Sequence, residues 1–126
     1  MFKIPGVKKI IKARVNSLNF MIATAYLSEN NEEQFLTYIH DLKNMEETKY
    51  FWISVYYLLQ NNMEKFQINY EIYSSFDEGK NTYSDIIENL VKYKQHEDKQ
   101  ALETLKQLSP DIKNPLLKQI VSNYLN

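Results

Sequence analysis

Three stretches of this chain repeat one plan, and the plan leaves little room for anything but helices. They span residues 25–35, 56–66 and 91–101: Ala25 to Phe35, Tyr56 to Phe66 and Val91 to Ala101. In each, the apolar or aromatic end of one helical run meets a short polar break, and a second apolar-periodic run follows. Phe66 lies 31 residues after Phe35, and Ala101 lies 35 after Phe66. A period of this length, carried by paired helices, is the sequence signature of a helical solenoid, whose units bury their apolar faces against their neighbours. The chain has only two glycines and three prolines, and all five fall at expected helix boundaries. A β-sandwich needs many more turn formers than that. The fold class is therefore all-α, with an irregular helical bundle as the alternative to a solenoid.

The spacing of apolar residues predicts about seven helices. The first opens near Pro5, since a proline is tolerated where the N–H has no helical partner. Its stripe is Ile4, Val7, Ile11, Val15, Leu18 and Ile22, recurring every three or four residues. Ser28 to Asn31 supplies caps and early acids for a new helix, whose stripe is Phe35, Leu36, Ile39 and Leu42, ending near Lys43 and Asn44. Residues 46–60 are the most apolar run, from Tyr50 to Leu59. They read as a helix covered on several sides rather than a strand, on grounds of length. Asn61 and Asn62 break the chain before a helix with Phe66, Tyr70 and Tyr73. Ser84, Ile86, Ile87, Leu90 and Val91 mark the next helix, a break at residues 95–98 follows, and Ala101, Leu102, Leu105 and Leu108 mark the sixth. Asn114 caps a last helix opening at Pro115.

This arrangement resembles the tetratricopeptide-repeat family. In that motif a small residue and an aromatic stand three positions apart late in the first helix, and a small or apolar residue follows nine positions after the aromatic. Here Ala23 and Tyr26 precede Phe35 by twelve and nine residues, and Ser54 and Tyr57 precede Phe66 by the same distances. The third unit departs, with Asn89 and Lys92 in the matching places before Ala101 and Tyr93 one residue away. Pro110 looks like the family's terminal proline, whereas the family's glycine and small positions elsewhere hold Asn or Phe. The resemblance covers roughly residues 17–125. It implies a right-handed stack of antiparallel helix pairs over residues 17–126, as one domain, and a peptide groove lined by the first helix of each pair. Phe20, Thr24, Phe51, Val55 and Leu58 would lie near that groove.

No enzyme chemistry is expected. His40 and His96 lie in different units, and neither has the spacing of a zinc-binding pair. There is no cysteine, hence no disulfide and no thiolate site. Two isolated glycines cannot build a phosphate loop, and no nucleophile elbow occurs. Paired carboxylates at Glu32 and Glu33, Glu46 and Glu47, and Asp77 and Glu78 could act as acid and base only where surroundings separate their pKa values. At helix starts they complement the dipole instead. No cofactor and no metal are expected.

Two surfaces stand out as binding candidates. One is the aromatic group Phe51, Trp52, Val55, Tyr56 and Leu59 on the central helix, because exposed aromatics are the usual interface anchors. One or two of these side chains are expected to stay open to solvent in a groove. The other is the basic stretch 1–16, where Lys3, Lys8, Lys9, Lys12 and Arg14 stand with no acid among them. The rest of the chain carries an excess of acids. A basic amphipathic helix suits an anionic membrane surface, and one short arm on an acidic body is a poor footprint for nucleic acid. The apolar run from Leu18 with Ala23 and Ala25 imitates an export signal, but Asn19 interrupts it. The expected setting is therefore cytoplasmic, with peripheral membrane contact left open. The leading reading is a non-catalytic module that binds a protein or peptide, an adaptor or scaffold. A membrane-surface or nucleic-acid adaptor acting through residues 1–16 is one alternative. Self-association through Leu116, Ile120 and Tyr124, giving a homo-oligomer, is the other.

Overall fold

The computed structural model of the chain describes residues 7–76 and 82–125, with the backbone alone for residues 7–16. Among the described residues there are seven α-helices, one 3₁₀ turn and no strand. They are α1 (Val7–Ser28), α2 (Glu32–His40), α3 (Glu46–Leu59), α4 (Met63–Ser75), α5 (Thr82–His96), α6 (Lys99–Leu108) and α7 (Pro115–Leu125). The turn, Ser109–Asp111, follows α6 and contains Pro110. The expected Pro5 start lies outside the described residues. The second helix ends at His40, three residues short of the expected Lys43, because the Asp41 N–H bonds back to the Ile39 carbonyl and closes the turn.

The helices fall into two compact units, Met1–Phe76 and Asp77–Asn126, and the expected single domain runs across both. In the first, α1 pairs with α2 and α3 with α4; in the second, α5 pairs with α6, and α7 packs on α6. Each pair is short and helical for a local reason. The side chains of Asn31, Asn62 and Asp98 accept hydrogen bonds from backbone N–H groups of the first turns of α2, α4 and α6. Asn114 does the same for α7, accepting from the Leu117 N–H at 3.0 Å. These caps each contribute about 1 kcal/mol by satisfying N–H groups that the helix itself leaves unpaired.

The joints within the pairs reuse one backbone design. Asn30 and Asn61 have φ of 64° and 59°, in the left-handed region where asparagine is among the better-tolerated residues. The N–H groups of Asn31 and Asn62 reach back to the carbonyls of Tyr26 and Tyr57, each at 3.0 Å. Those of Asn30 and Asn61 bond to Leu27 and Leu58. This is the two-bond Schellman closure of a helix end. At the third joint Glu97 has φ of 49° and its N–H bonds to the Tyr93 carbonyl at 2.8 Å, the simpler one-bond version.

Counting from the caps corrects the alignment of the third unit. Five residues before Asn31, Asn62 and Asp98 stand Tyr26, Tyr57 and Tyr93. Eight before stand Ala23, Ser54 and Leu90, each fully buried. Four after stand Phe35, Phe66 and Leu102, whose N–H groups all bond to the cap carbonyl. By the caps the counterpart of the two phenylalanines is Leu102, 36 residues after Phe66, although it is Ala101, one place earlier, that is buried as they are. Tyr93, one place off in the Ala101 alignment, is the matching aromatic, and the third joint is the less degenerate for it.

The core of the first unit centres on α3. Eight consecutive residues, Phe51 to Leu58, are buried, more than two full turns, so the whole circumference is out of water. Phe35 from α2 stacks on Tyr56 with ring centres 4.9 Å apart. Tyr73 from α4 packs on Phe51 at 5.6 Å, and Phe20 from α1 meets Trp52 edge-on at 5.7 Å. Such ring pairs contribute about 0.5–1.5 kcal/mol each beyond the area they bury. Ser54, fully buried, donates to the Tyr50 carbonyl at 2.7 Å, so its hydroxyl costs nothing unsatisfied. In the second unit, Ile86, Ile87 and Leu90 of α5, Leu105 of α6 and Leu117 and Val121 of α7 are the fully buried side chains.

Candidate interaction surface

The aromatics of α3 are core. Phe51 is 5% exposed, Trp52 3% and Tyr56 3%, and Val55 has no exposure. The expectation that one or two of these side chains stay open in a groove is corrected. An amphipathic helix hides one stripe, whereas α3 sits among α1, α2 and α4, which leaves its large rings no outward side. Phe20, Thr24 and Leu59 are half-buried, and Leu58 is buried. Of the residues expected near a groove, the structure brings Phe20, Phe51 and Trp52 into one edge-to-face chain. Thr24, one turn after Phe20 on the same flank of α1, donates to the Met21 carbonyl at 3.0 Å. Lys3 lies outside the described residues. Lys8, Lys9, Lys12 and Arg14 lie on the backbone of α1, and their side chains are likewise outside the described residues.

A polar corner joins the two helix pairs of the first unit, and sequence reading missed it. The Gln60 side-chain amide donates to Asn30 Oδ1. The Tyr57 hydroxyl donates to Glu32 Oε1 at 2.9 Å, and Lys65 Nζ lies 3.7 Å from the same oxygen and 5.4 Å from the centre of the Tyr57 ring. The Tyr57 phenol is pushed up to about 12, first by burial, then by its hydrogen bond to Glu32 and by the charges of Glu32 and Tyr56. Burial, then the Glu32 charge, raises Tyr56 as well. The corner joins the α1–α2 joint to the α3–α4 joint through residues at different places in each, since Asn30 corresponds to Asn61 and Glu32 to Met63 when the caps are aligned. The signal was present in the sequence as the matching Asn-Asn breaks, but nothing local said that they meet.

Among the described side chains, the other titratable groups singled out in the sequence are paired or face solvent. Glu46 pairs with Lys49 at 3.1 Å, which lets Lys49 lie buried at the start of α3 at 7% exposure. His40 is exposed. Its pKa is lowered by partial burial and by the Lys49 charge, against the opposing pull of Glu46. His96 is exposed in the second unit. Among the described residues no three His, Cys, Asp or Glu side chains stand where they could hold a metal ion. The Asp77 and Glu78 pair lies outside the described residues.

The last helix spends its side chains internally. Ile120 is buried, and Tyr124 accepts a hydrogen bond from Lys94 Nζ at 3.0 Å while meeting Tyr93 edge-on at 6.3 Å. Leu116 is half-buried. Large apolar side chains that do face solvent are Met21 at 67%, Leu18 at 57%, Ile68, Phe76 and Tyr83. Among the described residues no helix is long and apolar enough to cross a membrane. No family model, no curated protein and no solved structure matches the chain.

Proposed function

We propose that this chain is a non-catalytic helical-repeat module of the tetratricopeptide-like kind that binds a protein or peptide. One observation carries the reading. The joint between α1 and α2 and the joint between α3 and α4 share caps, left-handed asparagines and back-bonded carbonyls, and the two joints touch each other, Gln60 to Asn30 and Tyr57 to Glu32. Contact between like parts of successive units is what a stacked repeat requires. Such stacks present extended faces, and their usual work is recognition. The carboxylates fit the same reading, because Glu32 ties α2 to α3 and α4 and Glu46 is paired within α3.

With the α3 rings in the core, the recognition face passes to the flank of α1 at Phe20 and Thr24. Thr24 is half-buried, and a long charged side chain there points outward without entering the core. Affinity capture from extract of the native cell, run with the natural chain and with Thr24→Arg, tests this. A protein retained by the natural chain and lost by Thr24→Arg, with helicity unchanged, is the expected result. Equal capture by both would refute the placement of the face.

A further inference from the structure

We infer that α1 is a bifacial helix whose outer face docks on an anionic lipid surface. Its inner face is set by Ala23, fully buried, and Leu27 at 5% exposure. Leu18, Met21 and Ala25 lie on the opposite side of the helix, about 140–180° around at 3.6 residues per turn. Met21 and Leu18 have the two highest exposures among the large apolar side chains of the described residues. Two such residues one turn apart on one face are a stripe rather than a scatter.

The stripe runs on. The helix is continuous from Val7 to Ser28, so Val7 and Ile11 fall in register with Leu18 and Ala25, within about 40°. Lys8 falls in register with the flank, Lys9 and Lys12 with the inner side, and Arg14 with the stripe itself. A helix buried along its length by one partner would show the reverse, with apolar residues in register with Ala23 and Leu27. The 22 residues of α1 span about 33 Å, whereas the nine of its partner α2 span about 14 Å. The cations and the in-register apolar residues therefore belong to the half of α1 that overruns its partner.

The charge selects the occupant. Residues 1–16 carry five cations and no acid. An apolar stripe on a lysine-rich helix is the pattern of a helix lying in the plane of a bilayer interface, with its apolar side chains at the acyl boundary and its long cations reaching for the phosphates. A parallel pairing of two copies through the same face would set the two clusters side by side, where like charges repel. This inference stands apart from the protein-binding face at Phe20 and Thr24.

Co-sedimentation of the full chain with vesicles of phosphatidylcholine, with and without phosphatidylglycerol, tests it. The natural chain is expected to bind the anionic vesicles far more than the neutral ones, and less as salt rises. Lys8→Gln with Lys12→Gln should weaken binding about 30-fold, roughly fivefold per cation. Leu18→Gln with Met21→Gln should weaken it at least about tenfold, with helicity unchanged because both positions face solvent. Absence of binding to anionic vesicles would overturn the inference. So would equal binding by the Leu18 and Met21 variant, which would leave charge alone at work. A concentration-dependent dimer that this variant abolishes, without lipid binding, would overturn it in favour of a second copy of the chain.

Discussion

Replacing Glu97 by glycine should stabilise the second unit. Glu97 is the third member of a set whose other members are asparagines, and it holds φ of 49°. For a residue with a Cβ the left-handed region costs roughly 1–2 kcal/mol, because the Cβ crowds the following carbonyl. Glutamate has no short side chain with which to compensate locally, as asparagine does. Glycine removes the crowding but frees the unfolded chain, which returns roughly 0.5–1 kcal/mol of the gain. The net expectation is a stabilisation of about 0.5–1 kcal/mol. The charge of Glu97 matters little, since it sits unfavourably after the last turn of α5 and favourably before the first turn of α6. Urea unfolding followed by helix ellipticity reads the effect as a midpoint shift of about 0.3–0.5 M, for a slope of about 2 kcal/mol per M. Glu97→Ala is the decisive control: it deletes the charge and keeps the Cβ, so it should give no gain. A gain from Glu97→Ala equal to that from Glu97→Gly would place the effect in charge and refute the backbone argument. Asn61→Gly should gain less than Glu97→Gly, because asparagine already tolerates the conformation.

Two further predictions concern the first unit. Tyr57 has a folded pKa of about 12 against about 10 in the unfolded chain, so its stabilisation is complete below pH 10 and is lost as pH rises through 12. That contribution is at most about 2.5 kcal/mol, and Tyr57→Phe should flatten the alkaline loss of stability while costing about 1–2 kcal/mol at neutral pH; identical alkaline profiles for the two chains would contradict it. Phe35→Ala and Phe66→Ala, which empty buried sites, should each cost about 3–5 kcal/mol in chemical unfolding, whereas Leu102→Ala, half-buried at the matching place, should cost less than about 2 kcal/mol; equal costs would contradict the partial burial of Leu102.

Element existence was legible because the physics that ends these helices is local. Asn31, Asn62, Asp98 and Asn114 are short acceptors ahead of apolar periodic runs, and each caps a helix. The interior of α3 was half legible: its all-round apolarity announced burial, yet the same rings suggested anchors, and sequence cannot count how many neighbours surround a helix. Three flanking helices settle that count for Phe51, Trp52 and Tyr56. The first stripe misled in the opposite sense. The stripe recurs at helical spacing along α1 from Val7 to Ile22, but the side chains that α1 buries among those described are Ala23 and Leu27, which stand outside that stripe. The one-residue slip at Ala101 arises because alanine fits an apolar position as well as the leucine beside it. The polar corner was illegible because Asn30 and Gln60, thirty residues apart, meet only after both pairs have formed.

The chain has one tryptophan, and it lies among Phe20 and Phe51 in the first unit. Its emission is therefore a private spectroscopic reporter of Met1–Phe76, while ellipticity sums over every helix. Glu97→Gly alters only the other unit. Following both signals in that variant turns a single titration into a measure of how far the halves of the chain unfold as one cooperative body: a shared shift means linked melting, and a fluorescence midpoint that stays put means two thermodynamic compartments.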